Sequence, residues 1–89
     1  MHFEWDRAKA HQNLVKHQVS FEEAITVFFD PLSATFRDPD HSRDEDRYIT
    51  FGHTSRHRLL VVSHGEKDKI IGIISARRAT AHERKRHEG

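Results

Sequence analysis

The spacing of apolar residues along this 89-residue chain changes at Asp30-Pro31, and this change constrains the fold more than any other feature. Before it, Phe21, Ala24, Ile25 and Phe28 recur at the spacing of one helix face. After it, apolar residues alternate with polar ones or form short runs, which is typical of β-strands. A chain that is first helical and then extended predicts an α+β fold.

Two helices are predicted in the first third of the chain. Arg7–His17 contains good helix formers without glycine or proline, and Asp6 can cap its first turn. Ser20-Phe21-Glu22-Glu23 has the capping-box pattern, in which the serine hydroxyl and the second glutamate each satisfy a terminal amide. We expect this second helix to reach Phe29, because a proline disfavours a helical residue before it.

Four strands are predicted after the helices, and the short turns between them favour an antiparallel meander. The first is an edge strand, the second alternates, and the last two are continuous apolar runs, as in strands covered on both faces. They span Leu32–Phe36, Arg47–His53, Leu59–Val62 and Ile70–Ile74. Phe3–Trp5 is a further candidate for a short strand.

The capping-box pattern recurs at Thr80-Ala81-His82-Glu83 and predicts a short, basic C-terminal helix. The predicted architecture is α+β, with two N-terminal helices packed on a four-stranded antiparallel sheet and this helix closing the end. Residues 1–89 form a single domain, because a chain of this length has room for one core. The predicted core consists of Phe21, Ile25, Phe28, Ile49, Phe51, Val61, Ile71 and Ile73.

The composition excludes several classes of protein. There is no cysteine, so disulfides and thiolate zinc sites are ruled out. No apolar run approaches the roughly 18 residues that cross a bilayer. Met1–Asp6 lacks the charged-then-apolar pattern of a secretion signal. We therefore expect a cytoplasmic protein without a membrane partner.

The nine histidines raise the question of a metal site, but their spacing does not favour one. His82 and His87 lie one position further apart than in the zincin motif, which turns the second ligand roughly 140° away on a helix. His53 and His57 flank a turn and have no evident third ligand. No serine lies in a glycine-flanked elbow, and no glycine-rich phosphate loop occurs. We expect no metal, no cofactor and no covalent nucleophile.

The net charge of +1 conceals an acidic block at 38–46 and a basic block at 77–86. Such blocks can pair within the fold, or the basic one can bind a polyanion. Arg77 and Arg78 come where the last strand meets the N-terminus of the last helix, and guanidinium groups and free helix amides both suit phosphate. The alternative is that one of these arginines merely pairs with Glu45, Glu23 or Asp30.

A set of motifs runs in order over nearly the whole chain, from Phe3 to Arg84. They are Phe3-Glu4-Trp5-Asp6, Lys9, Asn13, Lys16-His17, Val19-Ser20-Phe21-Glu22-Glu23-Ala24, Asp30-Pro31, Glu45 with Arg47, and Ile73-Ile74-Ser75-Ala76-Arg77-Arg78-Ala79-Thr80. Together they resemble the BrnT toxins. The resemblance implies a RelE-like fold, cleavage of RNA without a cofactor, and a BrnA-like antitoxin as partner.

The function implied by this resemblance is that of a ribonuclease toxin in a type II toxin–antitoxin system, which inhibits translation and growth unless its antitoxin binds it. Such cleavage uses the 2′-hydroxyl of RNA as nucleophile on the adjacent phosphate, without metal. DNA is contacted only indirectly, through the antitoxin. The alternative is a non-catalytic module that binds the antitoxin and assists transcriptional autoregulation. Both functions favour a basic patch, so composition does not separate them.

The reaction requires proton removal from the 2′-hydroxyl, charge stabilisation on the phosphoryl oxygens and release of the 5′-oxygen. We assign phosphate stabilisation to the two arginines and proton transfer to the end of the first helix. A glutamate, Glu83, is either a further base or a residue that orients an arginine, although capping of the last helix is the simpler account of it. The predicted catalytic residues are thus Arg77, Arg78, Lys16, His17 and Glu83, with His64 and His87 in reserve, and the predicted RNA-binding residues are Lys9, Arg47, Arg84 and Arg86.

Three positions depart from the BrnT pattern. Gln18 stands where glycine usually follows Lys-His, which concerns only a helix end. Gly72 stands where an arginine is common, and His87 where a tyrosine is common. The missing arginine predicts an attenuated ribonuclease, and the alternative is a structural glycine without effect on activity. In an uninterrupted strand, Gly72 shares a face with Ile70, Ile74, Ala76 and Arg78.

Overall fold

The computed structural model describes residues 1–40 and 46–89, so Glu45 lies outside the described residues. The elements are β1 (His2–Glu4), α1 (Arg7–His17), α2 (Phe21–Ala24), a 3₁₀ helix (Ile25–Phe29), β2 (Ala34–Arg37), β3 (Arg47–His53), β4 (Leu59–Lys67), β5 (Ile70–Arg78) and α3 (Ala81–Glu88). The five strands form one sheet in the order β1-β5-β4-β3-β2. None of the helices in the described ranges has the length and apolarity needed to cross a membrane.

The sheet is mixed, and the prediction of four antiparallel strands is therefore wrong. β2 to β5 form the expected antiparallel meander. β1 adds a fifth strand that pairs in parallel with β5, with Phe3 opposite Ile71. A three-residue strand is too short for its residue pattern to reveal its sheet partner. The two apolar runs are central strands, as predicted, although β4 and β5 extend well beyond them.

One face of the sheet, called the first face, is covered by α1, α2 and the 3₁₀ helix. Its side chains pack against Phe21, Ala24 and Val27 from the helical segments and against Val19 from the connection between α1 and α2. All of these residues are less than a tenth exposed, so this contact is the main core of the molecule. The strand residues of the first face are Leu60, Val62, Ile71, Ile73 and Ala76.

The opposite surface, called the second face, is only partly covered, and α3 lies against it. The strand pairings place Phe36 beside Ile49, Phe51 beside Val61, and Val61 beside Arg77. Of the predicted core residues, four are buried, and the other four are partly buried: Ile25 and Phe28 against the main core, and Ile49 and Phe51 on the second face. The four buried residues are Phe21, Val61, Ile71 and Ile73.

The second helix is not one continuous α-helix, contrary to the prediction. After Ala24 the chain tightens into 3₁₀ geometry, and the Thr26 hydroxyl donates to the Glu23 carbonyl at 2.7 Å. Such a local bond competes with the hydrogen bonds of an α-helix. The β-branched residues Ile25, Thr26 and Val27 disfavour the α-helix further. The capping box is half formed: Ser20 Oγ accepts from the Glu23 amide at 3.0 Å, but the Glu23 carboxylate binds Arg58 instead.

β5 contains one more residue than the stretch of β4 opposite it. Ser75 pairs with Ser63, whereas Ile73 already pairs with His64. Ile74 is therefore the extra residue of a β-bulge, which shifts the alternation of side chains along the strand.

The bulge decides which residues share a face with Gly72. Ala76 belongs to the core of the first face, so Arg77 points to the second face. Gly72 lies next to the core residue Ile73 and therefore also belongs to the second face. The prediction that Gly72 shares a face with Ala76 and Arg78 is wrong, because it assumed an uninterrupted strand.

Candidate functional site

An arginine–glutamate pair joins the last strand to the last helix. Arg77 Nη1 and Nη2 donate to the two carboxylate oxygens of Glu83 at 2.8 and 2.9 Å. Glu83 Oε1 also accepts from the Thr80 amide at 2.9 Å, and Thr80 Oγ1 accepts from the Glu83 amide at 3.2 Å. This is the capping box predicted for the start of α3. The helix start therefore fixes the carboxylate, and the carboxylate fixes the guanidinium group.

The charges of this pair stabilise each other. Hydrogen bonding from Arg77 lowers the pKa of Glu83 to about 2, against a smaller opposing effect of burial. The same contact raises the pKa of Arg77 above its ordinary value. Glu83 is consequently a carboxylate at neutral pH and a weak proton acceptor.

Arg77 retains hydrogen-bonding capacity towards solvent. Besides Glu83, Nη1 donates to the Arg78 carbonyl at 3.3 Å. Nε–H and the second hydrogen of Nη2 have no acceptor among the described residues. The Arg77 side chain is 43% exposed, so an anion can approach these donors from solvent.

Beside this pair, α3 and the β2–β3 edge enclose a cleft of about 550 Å³, called the aromatic cleft. Its floor includes Phe36 and Phe51, whose rings meet edge to face with centroids 6.2 Å apart. Its wall is the inner side of α3, which brings Glu83 to the cleft and so places the Arg77–Glu83 pair at its border. The cleft is lined by Ala34, Phe36, Phe51, His82, Glu83, Arg86 and His87.

The C-terminal end of α3 is also attached to the sheet. The His87 ring lies 6.3 Å from that of Phe51 and 6.1 Å from that of His53. His53 Nε2 lies 2.9 Å from Glu88 Oε2, and its Nδ1 lies 3.6 Å from Asp30 Oδ2. Among the described residues, no group of three or more His, Asp or Glu side chains is arranged to hold a metal ion.

The remaining predicted catalytic residues lie on the other side of the sheet. Lys16 and His17 form the last turn of α1, which packs on the first face. Arg78 pairs with the core residue Leu60, so its exposed side chain leaves the strand on the first-face side. The structure thus joins Arg77 directly to Glu83, but it does not bring Lys16 or His17 to that pair.

The predicted RNA-binding residues are divided between the two sides as well. Arg84 and Arg86 are exposed on α3, and Arg84 Nη1 lies 3.8 Å from Glu88 Oε1. Arg47 starts β3 and, by its alternation with Phe51, belongs to the second face. Lys9 is exposed on α1 and belongs to the opposite side of the molecule. Three of the four residues therefore belong to the side of the second face and α3.

Neither of the described carboxylates considered as alternative partners binds Arg77. Glu23 instead accepts from Arg58 Nε at 2.9 Å and from the Thr54 hydroxyl at 2.8 Å, and the hydrogen bond from Arg58 lowers its pKa. Asp30 accepts from the His53 backbone amide at 2.8 Å, which lowers the pKa of Asp30. The glutamate that orients Arg77 lies six residues further along the chain, in the capping box itself.

Sequence reasoning missed the aromatic cleft. Phe51 was assigned to the core and Phe36 only to an edge strand, because nothing in their spacing shows that α3 leaves this part of the second face open. One available signal was the spacing of Glu83 and His87, which places both on the same side of a helix. Once Glu83 is known to bind Arg77, that side must face the sheet.

Gly72 borders a different cleft, of about 630 Å³, at the far end of the second face. This cleft is lined largely by charged side chains. A Cβ atom built at Gly72 meets no other atom within 4 Å, so a side chain fits there without displacing a neighbour. The charged residues around it are Glu4, Asp46, Glu66, Lys67 and Asp68.

Comparison with known proteins identifies the family. Residues 5–83 match a family model described as "Ribonuclease toxin, BrnT, of type II toxin-antitoxin system". The chain belongs to the BrnT family. The resemblance inferred from the motifs is thereby confirmed, and toxins of type II systems have a protein antitoxin as partner. The matched segment of this BrnT chain includes both Arg77 and Glu83 but ends before Arg86 and His87.

The fold of this BrnT chain agrees with a solved structure. The crystal structure of the Brucella abortus ribonuclease toxin, BrnT, superposes with a TM-score of 0.71 at 20% sequence identity. The similarity covers 90% of this chain and 97% of the Brucella chain, so it extends over the whole fold. A comparison with curated protein sequences found no significant match.

Proposed function

We propose that this chain is a metal-independent endoribonuclease in which Arg77 binds the scissile phosphate. The observation that carries the proposal is the Arg77–Glu83 pair, which holds a half-exposed guanidinium group in a fixed orientation beside an open cleft. Donors that are oriented before the substrate binds stabilise developing charge most effectively, because they need no reorganisation during the reaction. Glu83 acts as a positioning residue, since its low pKa makes it a poor base.

In the proposed reaction, the 2′-oxygen forms a bond to phosphorus while the bond from phosphorus to the 5′-oxygen breaks. The 2′-hydroxyl loses its proton and the 5′-oxygen gains one, which leaves a 2′,3′-cyclic phosphate and a 5′-hydroxyl. Histidine is well suited to both transfers near neutral pH. His82 and His87 line the aromatic cleft and are the candidates for these transfers on α3.

A second arrangement remains a candidate on the first-face side. There Arg78 would bind phosphate, and Lys16 or His17 would transfer protons from the last turn of α1. Separate His17→Gln and His87→Gln variants distinguish the two arrangements, because each removes proton transfer at one location only. We expect the greater loss of cleavage from His87→Gln, since Arg77 is oriented by the Glu83 carboxylate, whereas Arg78 has no such partner among the described residues.

The proposed reaction is tested with purified protein and a single-stranded RNA in excess EDTA. We expect cleavage to continue, to yield 2′,3′-cyclic phosphate ends, and to stop when the nucleotide before the cut carries a 2′-deoxyribose. The matched all-ribose RNA is the control. Loss of cleavage in EDTA that is restored by a divalent metal, or cutting at the deoxy position, would contradict the mechanism.

We further propose that a BrnA-like antitoxin inhibits this toxin in the cytoplasm by covering α3 and the second face. The exposed cations there include Arg77, Arg84, Lys85 and Arg86. Acidic residues on the antitoxin would complement them and would mainly increase association rate and specificity. Any contact with DNA is made through the antitoxin. Hydrogen exchange of the complex tests this arrangement: protection confined to α1 would place the antitoxin elsewhere.

The second candidate function is a non-catalytic module that binds the antitoxin and assists transcriptional autoregulation. The same ion pair favours it, because both terminal nitrogens of Arg77 already bind Glu83 and the pair can serve to anchor α3. Expression of the chain alone separates the two functions. A ribonuclease stops growth and cuts cellular RNA, whereas a non-catalytic module does neither.

A further inference from the structure

We propose that the aromatic cleft binds one unpaired nucleobase of a single-stranded RNA, which stacks on Phe36 while an adjacent phosphate contacts Arg86. The inference rests on the proposed ribonuclease function and names the form of RNA that the site accepts. A base held there lies next to the Arg77–Glu83 pair, because Glu83 is part of the cleft wall.

The first observation is the exposure of Phe36. This residue is 59% exposed although it lies on a strand next to another aromatic residue. Its contact with Phe51 occupies only part of the ring, and the opposite wall of the cleft belongs to α3. Single-stranded nucleic acids are commonly bound by such aromatic side chains, since every base offers a π-face for stacking.

The second observation is the charge of the wall that faces this ring. Arg86 and His82 line the cleft from α3. Within the described ranges Arg86 has no carboxylate partner, and Glu83, the carboxylate in the lining, is already bound to Arg77. An aromatic floor beside a cationic wall matches a planar base attached to an anionic phosphate. A purely apolar peptide segment would leave this wall without a partner.

The size of the cleft agrees with a ligand of this kind. About 550 Å³ lies within the range of roughly 300–1,000 Å³ typical of sites for small organic molecules. Because the cleft is open towards solvent and ends at the Arg77–Glu83 pair, a nucleotide chain can continue from it in the direction of Arg77. The base in the cleft would then set the position of the scissile phosphate.

The test uses a short 2′-O-methyl oligonucleotide, which cannot be cleaved, with one 2-aminopurine base as a fluorescent reporter of stacking. We expect binding to quench the reporter when it occupies the cleft. Phe36→Ala should weaken binding about tenfold or more and abolish the quenching, given the usual energy of base–aromatic stacking. Phe36→Trp should retain both, and Arg86→Ala should weaken binding and its dependence on salt.

The matched control is Phe29→Ala, which removes a phenylalanine of similar exposure (67%) that contacts Phe3 and does not line the cleft. Because Phe36 is mainly exposed, we expect its variants to fold, and thermal unfolding checks this. Phe36→Leu provides a second variant that keeps apolar contact with Phe51 but has no π-face, and it should also lose the quenching.

Equal affinity and equal quenching for Phe36→Ala and the wild type would overturn the inference. Unchanged RNA binding combined with lost antitoxin binding would also overturn it and would assign the cleft to the partner protein. The proposed function fails separately: absence of RNA cleavage by the wild type contradicts the enzyme, whereas a Phe36-dependent quenching signal still supports the base site.

Discussion

The side chain of Asn13 forms two hydrogen bonds with the backbone of Ala76, 63 positions away along the chain. Asn13 Nδ2 donates to the Ala76 carbonyl at 2.8 Å, and Oδ1 accepts from the Ala76 amide at 3.1 Å. The same Nδ2 donates to the Val19 carbonyl at 3.0 Å. Asn13 is only 6% exposed. One buried amide thus fixes α1 against the residue that precedes Arg77.

We expect Asn13→Ala to lower the free energy of unfolding by about 3 kcal/mol, because it leaves buried backbone groups of Ala76 and Val19 without partners at roughly 1–3 kcal/mol each. Urea denaturation measures this change. Gln12→Ala, at an exposed position of the same helix, is the control and should change stability by less than about 0.5 kcal/mol. Equal effects of the two substitutions would show that the Asn13 contacts do not stabilise the fold.

His64 is fully buried in the sheet, between the rings of Phe28 and Tyr48. Its Nε2 lies 2.7 Å from the Thr50 hydroxyl. Its Nδ1 has no hydrogen-bond partner in the part of the chain that the structure describes, and Glu66 Oε1 lies 3.8 Å from it. Burial lowers the pKa of His64 to about 4. This reserve candidate for catalysis is therefore neutral at neutral pH and has no access to RNA.

The lowered pKa of His64 predicts a loss of stability in mild acid. The unfolded chain takes up a proton near pH 6.5 and the folded chain only near pH 4, so stabilisation is complete above about pH 6.5 and is lost as the pH falls towards about 4. We expect unfolding free energy to be about 1–2 kcal/mol lower at pH 5 than at pH 7. His64→Phe, which fills the same space but cannot titrate, should reduce this difference. An unchanged pH dependence in that variant would exclude His64 as the cause.

Local patterns predicted the parts of the fold that depend on neighbouring residues. The change of period at Asp30-Pro31 located the helical and extended segments, and the capping box at Thr80 located the start of α3. Gln18, which replaces the glycine usual in the family, was expected to lie at a helix end. It does end α1, with a left-handed φ of 58°, a conformation that favours glycine.

The features that were not predicted depend on contacts distant in sequence. β1 is recognisable as part of the sheet only through its pairing with β5. The extra residue Ile74 arises from the register between two strands, and no local signal marks it. The aromatic cleft depends on where α3 packs, and α3 has no buried residue whose pattern could reveal its inner side. Whether Glu23 completes a capping box or binds Arg58 is likewise decided by the tertiary structure.

Gly72 and Arg77 lie on the same face of β5, about 15 Å apart at the usual rise of a strand. An arginine at position 72 is therefore too distant to share the phosphate bound by Arg77, but it can reach a neighbouring one. We expect Gly72→Arg to strengthen RNA binding severalfold and leave the maximal cleavage rate unchanged. This result would mean that the glycine attenuates the enzyme by lowering its affinity for RNA. KM and kcat, measured separately, check this.

The control for this substitution is Gly72→Gln, which adds a long side chain without charge. If Gly72→Arg and Gly72→Gln bind RNA equally well, Gly72 lies outside the path of the RNA. In that case the carboxylates that line the cleft around Gly72 have neutralised the new arginine, and the glycine does not attenuate the enzyme.

The most direct test of the proposed site compares RNA cleavage by Arg77→Ala and Arg56→Ala in EDTA under single-turnover conditions. Arg56 is a suitable control because its side chain is 75% exposed and lies outside the aromatic cleft. We expect Arg77→Ala to reduce the rate of cleavage about a hundredfold or more, as is usual when a charge-stabilising donor is lost, and Arg56→Ala to cleave at the wild-type rate. Equal rates for the two folded variants would contradict a catalytic role for Arg77.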